Sequence, residues 1–361
     1  MSTLHAVLPD AVDDPLRPRG GNVYDRRVLD GLRGLGWRVH EHLVPTPWPR
    51  VDPAARATLE SVLRDRPEGT PTLVDGLVLS AGSEVVAAAA DRLRLVVLSH
   101  MPLGHADPAA SPGEGAALAR AAGVVATSQW TRDWLLAAYG LPAERVHVVE
   151  PGVTPAPVAP GTDAGGELLC VAAVTPGKGH DLLVAALADV AEPAWRCTCV
   201  GAVDVDPGFA AEVRRAADEH GLGDRIAFPG PLVAADLERA YAAADVLVLP
   251  SRAETYGRVV TEALAHGLPV LTADVGGVAE ALGRGSDGTR PGLLVPAGDA
   301  GALARALRDW LGEPGLRERL RRAARDRRVS LTGWHEASGT LSEVLSTILS
   351  EPPGRPIRMG S

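Results

Sequence analysis

Apolar and polar positions repeat one pattern in both halves of this chain. Short runs of leucine and β-branched residues alternate with longer stretches whose apolar positions recur at spacings of three and four. That alternation belongs to a parallel sheet covered by helices. In the first half it predicts strands over 4–8, 38–44, 72–74, 93–98, 124–127 and 146–149, with helices over 23–35, 53–64, 83–91 and 129–139. The stretch 151–166, PGVTPAPVAPGTDAGG, interrupts the pattern with prolines and glycines, as a linker and hinge would. The alternation then restarts, with strands expected over 168–174, 195–201, 225–228, 245–249, 268–272 and 293–295. Beyond Asp299 it becomes helical throughout, over 302–311, 316–327 and 336–349. The pattern thus predicts an α/β chain with a Rossmann-like domain over 1–155, a second over 156–335, and a terminal helix and tail over 336–361.

Composition then removes several classes of function. The 361 residues suit two domains of ordinary size. No apolar run approaches the ~20 residues that span a bilayer, and the start, MSTLHAVLPD, lacks a basic segment followed by an apolar one. The expectation is a soluble cytoplasmic protein. A formal net charge of −9 argues against a general nucleic-acid binder, which needs a surplus of positive charge. Cys170, Cys197 and Cys199 sit in apolar runs, and no further His or Cys cluster completes a tetrahedral metal set, so they read as buried reduced thiols. The arginine-rich stretch LRERLRRAARDRR reads as a solvated helix face, with contact to an anionic membrane or partner as the alternative.

Candidate chemistry gathers in the second half. Lys178 is the one lysine among 36 basic residues, and it stands in a glycine-rich loop, Pro176-Gly177-Lys178-Gly179, directly after a strand. A compact ammonium there suits a phosphate. A second strand-loop-helix unit runs Pro250-Ser251-Arg252-Ala253-Glu254-Thr255-Tyr256-Gly257 into a helix through His266. Backbone N–H groups of Thr255, Tyr256 and Gly257 at that helix start would hold an anion. Glu254 and Glu262 would then accept hydroxyls on either side of a bound diphosphate, the outline of a sugar nucleotide. Open α/β sheets place ligands at such strand ends. Asp204-Val205-Asp206 has the spelling of a metal-binding aspartate pair, but it precedes Pro207-Gly208 and reads as a turn before a helix.

These pieces resemble the family 4 glycosyltransferases, retaining enzymes of the GT-B fold, in which two Rossmann-like domains face a central cleft. The resemblance is densest in YAAADVLVLPSRAETYGRVVTEALAHGLPVLTADVGGVAEAL. GGNVYDRRVLDGLRGLGWRV, ATSQWTRDWLLAAYGLPAERVHVVEPGV and VAAVTPGKGHDLLVAAL support it in the same order. It implies that Glu254 accepts hydroxyls of the donor sugar, that Glu262 binds the ribose and that Lys178 neutralises the diphosphate. It further implies that Gly20-Gly21, in a first long loop, bring backbone close to the leaving phosphate, and that His100 faces the transferred sugar. The family often carries an arginine where this chain has Ala173, so Arg252, or else Arg258, is expected to supply the missing cation.

The implied function is metal-independent transfer with retention, from a UDP-, GDP- or ADP-linked sugar to a small-molecule or glycan acceptor. No cofactor beyond the donor itself is expected. Tyr24, Trp48, Arg50, Gln129 and Arg132 lie on loops or helix starts of the first domain, where an acceptor pocket would be lined, but the sequence singles out none of them and leaves the acceptor open. Three alternatives share parts of this pattern: a sugar-nucleotide phosphorylase or epimerase, a catalytically silent binding protein, and a dinucleotide oxidoreductase. The last is disfavoured, since neither half has G-x-G-x-x-G after its first strand.

Overall fold

The computed structural model describes residues 2–14, 20–46, 52–190, 195–233 and 235–350. The chain divides into two compact units: one runs to Gly152 and takes in the chain from Thr332 onward, and the other spans Val153–Leu331. The first contains strands β1 (Thr3–Pro9), β2 (Arg38–Val44), β3 (Pro71–Asp75), β4 (Arg94–Ser99), β5 (Gly123–Ala126) and β6 (Val146–Val148). Between them lie helices α1 (Gly20–Gly34), α2 (Pro53–Arg64), α3 (Leu79–Ala90), α4 (Leu103–Ala106), α5 (Ser111–Arg120) and α6 (Gln129–Tyr139). The second holds β7 (Glu167–Val171), β8 (Arg196–Val200), β9 (Ile226–Gly230), β10 (Val246–Leu249), β11 (Val270–Ala273) and β12 (Gly292–Val295). Its helices are α7 (His180–Ala188), α8 (Pro207–Glu219), α9 (Ala235–Ala243), α10 (Arg258–Ala265), α11 (Val278–Leu282), α12 (Ala300–Gly312) and α13 (Pro314–Arg327). The last helix, α14 (Trp334–Ser350), belongs to the first unit.

Both sheets are parallel, ordered β2-β1-β3-β4-β5-β6 and β12-β11-β10-β7-β8-β9. Central strands buried on both faces must be apolar throughout, and Val246, Leu247, Val248 and Leu249 are each wholly buried. Helix starts are written locally. Asp52, Ser128, Asp206 and Asp299 each accept a backbone N–H of the turn that follows. Asp206 therefore caps α8, as the turn interpretation of Asp204-Val205-Asp206 anticipated. Helix α5 was not anticipated, because SPGEGAALAR carries alanine and glycine rather than a clear apolar stripe. Helix α14 packs on α1, where a Cβ on Gly31 would overlap Ser338, and Trp37 Nε1 donates to Ser342 Oγ at 2.8 Å. The three cysteines are free and buried.

The proline-rich stretch after Gly152, expected to be a hinge, is for the most part stitched to the unit that follows it. The Ala159 N–H donates to the His266 carbonyl at 2.8 Å. Arg328 reaches the carbonyls of Ala156 (2.6 Å) and Ala265 (2.7 Å), Arg321 that of Thr162 (2.7 Å), and Arg317 that of Asp163 (3.1 Å). Helix α13 is accordingly more than a solvated face. Glu318, Arg319, Arg322 and Arg325 are exposed, whereas Arg317 is buried and Arg321 turns inward. At the centre of the stitching the buried Asp245 carboxylate accepts from the Thr162 N–H (2.5 Å), Thr162 Oγ1 (2.7 Å), the Glu167 N–H (2.9 Å) and Arg321 Nη2 (2.8 Å).

Asp245→Ala would leave Arg321 with the Thr162 carbonyl but no counter-charge, and would deprive three further donors of their acceptor. It is expected to destabilise the second unit by about 3 kcal/mol or more, measured as a lowered urea midpoint; an unchanged midpoint would show that the stitching carries no stability.

Candidate functional site

In the second unit the chain lays β7, β8 and β9 outward in one direction and then returns to place β10, β11 and β12 on the other side. The order therefore reverses between β7 and β10, and the loops leaving these neighbouring strands run to opposite faces, opening a crevice at their ends. The loop after β7 carries Lys178, and the loop after β10 carries Glu254. Backbone contact ties the two together. The Arg252 N–H donates to the Gly177 carbonyl at 2.8 Å, and Gly179, at φ +71°, lies so near the Pro250 carbonyl that a Cβ would overlap it. A third loop, after β11, presses on the same point, where a Cβ on Gly276 would overlap the Glu254 carbonyl oxygen.

This crowding brings Lys178 Nζ to 2.6 Å from Glu254 Oε1, and Ser251 Oγ donates to the same oxygen at 2.9 Å. The Lys178 side chain stays 33% exposed, so its ammonium is reachable as well as paired. Helix α10 begins at Arg258, with Gly257 capping it at φ +87°. Glu254 thus lies in the loop ahead of the helix. Glu262 stands on α10 with a carboxylate held by Arg258 and by Tyr241 Oη at 3.0 Å. Tyr241 is buried and stacked on His266, with ring centroids 4.8 Å apart, which makes it a stiff support. Tyr256 is buried among Leu249, Val260 and Val278, so its side chain serves the core.

The arginines expected to replace the family's missing cation are both engaged. Arg252 grips Asp181 with two bonds, of 2.8 and 2.6 Å, and reaches the Pro176 carbonyl at 2.7 Å. The guanidinium holds the Asp181 carboxyl below its usual range. Arg252 so clamps the two loops together, and Arg258 is bound to Glu262.

The first unit has its own reversal, between β1 and β3. Gly20 and Gly21 do not lie in a loop there: they form the first turn of α1. Gly21 faces the His100 ring, where a Cβ would come within 2.9 Å of Cδ2. His100 follows β4, and its Nε2 lies 2.7 Å from Asp25 Oδ1 on α1 and 3.2 Å from Asp75 Oδ2 at the end of β3. Asp25 and Asp75 are buried. Burial, strengthened by neighbouring Asp75, pushes the Asp25 carboxyl up to about 7. Burial opposes charge on His100, but the two carboxylates outweigh it and hold the imidazole up at about 10. Neither aspartate stood out in the sequence. Asp75 ends an apolar strand, which is a usable signal, but nothing in GGNVYDRR separates Asp25 from its neighbours. The ligand atoms of this trio lie within 4.8 Å of one another. With Nε2 donating to carboxylates, the trio is an ion-pair cluster.

Of these acceptor candidates, the three among the described residues all bond within the protein. Tyr24 is buried and donates to the Val149 carbonyl at 3.0 Å. Arg132 braces the carbonyls of Val146 (2.9 Å) and Ala143 (3.1 Å). Gln129 Nε2 donates to Asp133 Oδ1 at 2.7 Å on the helix surface. Trp48 and Arg50 lie outside the described residues.

Residues 163–327 match the family described as Glycosyl transferases group 1, and residues 17–156 match Glycosyltransferase Family 4. D-inositol 3-phosphate glycosyltransferase 1 of Catenulispora acidiphila is 32% identical over 274 residues, which cover 70% of this chain and 64% of that protein. The D-inositol 3-phosphate glycosyltransferase of Thermomonospora curvata is 35% identical over 256 residues, covering 64% and 58%. The chain thus spans about six tenths of the length of these relatives. Among solved structures, sucrose-phosphate synthase from Thermosynechococcus elongatus superposes with a TM-score of 0.79 at 24% identity, covering 97% of this chain and 100% of that one. Anabaena HepE in complex with UDP-glucose gives 0.77 at 19% identity, covering 96% and 100%. Two six-stranded parallel sheets of Rossmann type, the GT-B architecture of these structures, and family matches over both units agree with the loops at each reversal: the chain belongs to the family 4 glycosyltransferases.

Proposed function

We propose that the protein transfers a glycosyl group, with retention and without a metal ion, from a nucleoside diphosphate sugar to an acceptor hydroxyl. The observation that carries this reading is the Lys178–Glu254 contact at the β7/β10 reversal. A diphosphate placed there meets the chain's one lysine and the N-terminal end of α10, which together supply positive charge. By drawing the ammonium to itself it frees Glu254 to accept hydroxyls of the attached sugar. Glu262, held by Tyr241 and Arg258, is braced to accept ribose hydroxyls.

In the reaction the bond from the anomeric carbon to the diphosphate oxygen breaks as the bond to the acceptor oxygen forms. The acceptor proton passes to the departing phosphate oxygen, so no protein nucleophile is required. The charge that develops on the diphosphate is met by donors already in place. Since the matched relatives are named D-inositol 3-phosphate glycosyltransferases, a phosphorylated inositol is the first acceptor to test, and UDP-glucose the first donor.

Thermal denaturation with UDP, GDP, ADP and TDP, free and sugar-linked, tests the site. One nucleotide is expected to stabilise the wild type, by about 2.7 kcal/mol at a hundredfold excess over Kd. Lys178→Ala should weaken binding of that nucleotide at least tenfold, through loss of a charge-assisted bond worth about 1.5–3 kcal/mol. Glu254→Ala should erase the advantage of the sugar-linked over the free nucleotide. Absence of any nucleotide response, or identical responses in both variants, would remove the site from consideration. Gly276→Ala offers a check from outside the ligand contacts. Pushing the Glu254 carbonyl aside is expected to cost about 2 kcal/mol or more in stability and to blunt the same sugar-dependent advantage.

A further inference from the structure

The cluster of Asp25, Asp75 and His100 has a geometry that the transfer chemistry above does not use. Carboxylate oxygens accept hydrogen bonds, so the His100 Nε2 that lies between Asp25 and Asp75 carries a proton. The ring cannot turn freely about this anchor. Gly21 closes on its Cδ2 edge, and the Tyr24 ring meets it edge-on with centroids 5.1 Å apart. Its side chain is 18% exposed, and Nδ1 has no hydrogen-bond partner among the described residues. The protein thus occupies one edge of the imidazole and leaves the other open.

We propose that Asp25 and Asp75 are positioning residues that clamp His100 as an imidazolium in one orientation, so that it offers the substrate an Nδ1–H donor and no basic nitrogen. This deepens the transferase reading and rests on it. A doubly protonated ring cannot take the acceptor proton, which leaves that task to the departing phosphate. It can hold an oxygen of the transferred sugar by a hydrogen bond, with no proton changing hands. The two carboxylates also offset the ring's charge, so that it does not oppose a cation-like anomeric centre.

The groups meeting His100 are Asp25 and Tyr24 from α1 and Asp75 from the end of β3. Burial holds the Tyr24 phenol well above its ordinary value, so it stays neutral, and its hydroxyl is spent on Val149. Asp75 Oδ1 also accepts the Leu77 N–H at 2.7 Å, which fixes its carboxylate by a second route. Asp25 Oδ2 is buried, and burial together with the neighbouring Asp75 raises the Asp25 carboxyl while the His100 ring opposes that rise. An imidazole whose midpoint is raised on folding lends stability that is complete below its unfolded value of about 6.5. That stability drains away as pH rises toward about 10.

The test is a histidine-selective NMR titration of the 361-residue chain, with the His100 signal assigned by its disappearance in His100→Gln. The wild-type signal should remain that of an imidazolium through pH 9. Asp25→Asn should lower its midpoint by two pH units or more, a hundredfold loss of proton affinity, and Asp75→Asn by less. Asparagine retains an acceptor in both cases, and the wild-type titration is informative even if one variant fails to fold. A wild-type midpoint near 6.5, a midpoint unmoved in both variants, or a shift of the signal on adding zinc or manganese ions would overturn the clamp. Turnover of UDP-glucose separates the clamp from the reading beneath it. Asp25→Asn should lower kcat at least tenfold with KM for UDP-glucose little changed, and should add an alkaline fall to the pH profile. If the signal shifts as expected but kcat does not change, the aspartates serve structure alone. If His100→Gln leaves wild-type turnover intact, the transferase role of the histidine fails, whatever the titration shows.

Discussion

One constraint organises the second unit: two parallel strands that are neighbours in the sheet but far apart in sequence must send their loops away from a shared edge. At the β7/β10 reversal those loops meet so closely that backbone touches backbone, through Gly179 on the Pro250 carbonyl and the Arg252 N–H on the Gly177 carbonyl. Glycine is needed at such a point, since any side chain would drive the loops apart. Once they are joined, Lys178 and Glu254 lie within a hydrogen bond of each other, 76 residues apart in the chain. Their pairing is thus a product of sheet topology, and the crevice at the strand ends inherits a cation and a carboxylate that a phosphorylated ligand can set against each other.

The first unit meets the same topological situation with buried charge. At the ends of β3 and β4 two carboxylates surround one imidazole, and each group would be costly to bury alone. The two carboxylates outweigh the loss of water for the imidazole, whereas burial and the neighbouring Asp75 push the Asp25 carboxyl up. A glycine again permits the approach, with Gly21 leaving room for the His100 ring. Both units therefore use the same two devices, a glycine where atoms must nearly collide and charges held in opposite pairs. The second unit keeps its lysine reachable, whereas the first seals its aspartates in.

Arginine does a separate job. Arg317, Arg321 and Arg328 reach carbonyls of the proline-rich segment at the start of the second unit, and Arg252 joins the phosphate-suited loop to the carboxylate loop. A planar guanidinium with several donors suits such multiple clamping better than a point-charge ammonium. Arg252 and Arg258, the arginines that flank Glu254, are each paired with a carboxylate, while Lys178 is the one lysine among the chain's positive residues.

Strand and helix positions followed from the periods of two and 3.6, because a strand buried on both faces tolerates only apolar residues and a surface helix needs one apolar stripe. The turn that Asp206 makes ahead of α8 was legible for the same local reason, as were the two loops rich in phosphate-suited groups. Partners in space were not. Nothing local pairs Arg252 with Asp181, 71 residues away, marks Gly20-Gly21 as part of a helix, or separates Asp25 from any surface acid on an amphipathic helix. The proline-rich segment looked like a loose hinge because the residues that hold it, Asp245 and Arg321 among them, are written far away. What the sequence by itself determined is each residue's local preference and the chemistry it has to offer. Which charge meets which was decided only by the tertiary structure, since a pairing energy depends on distance and burial, and neither exists until the sheets are assembled.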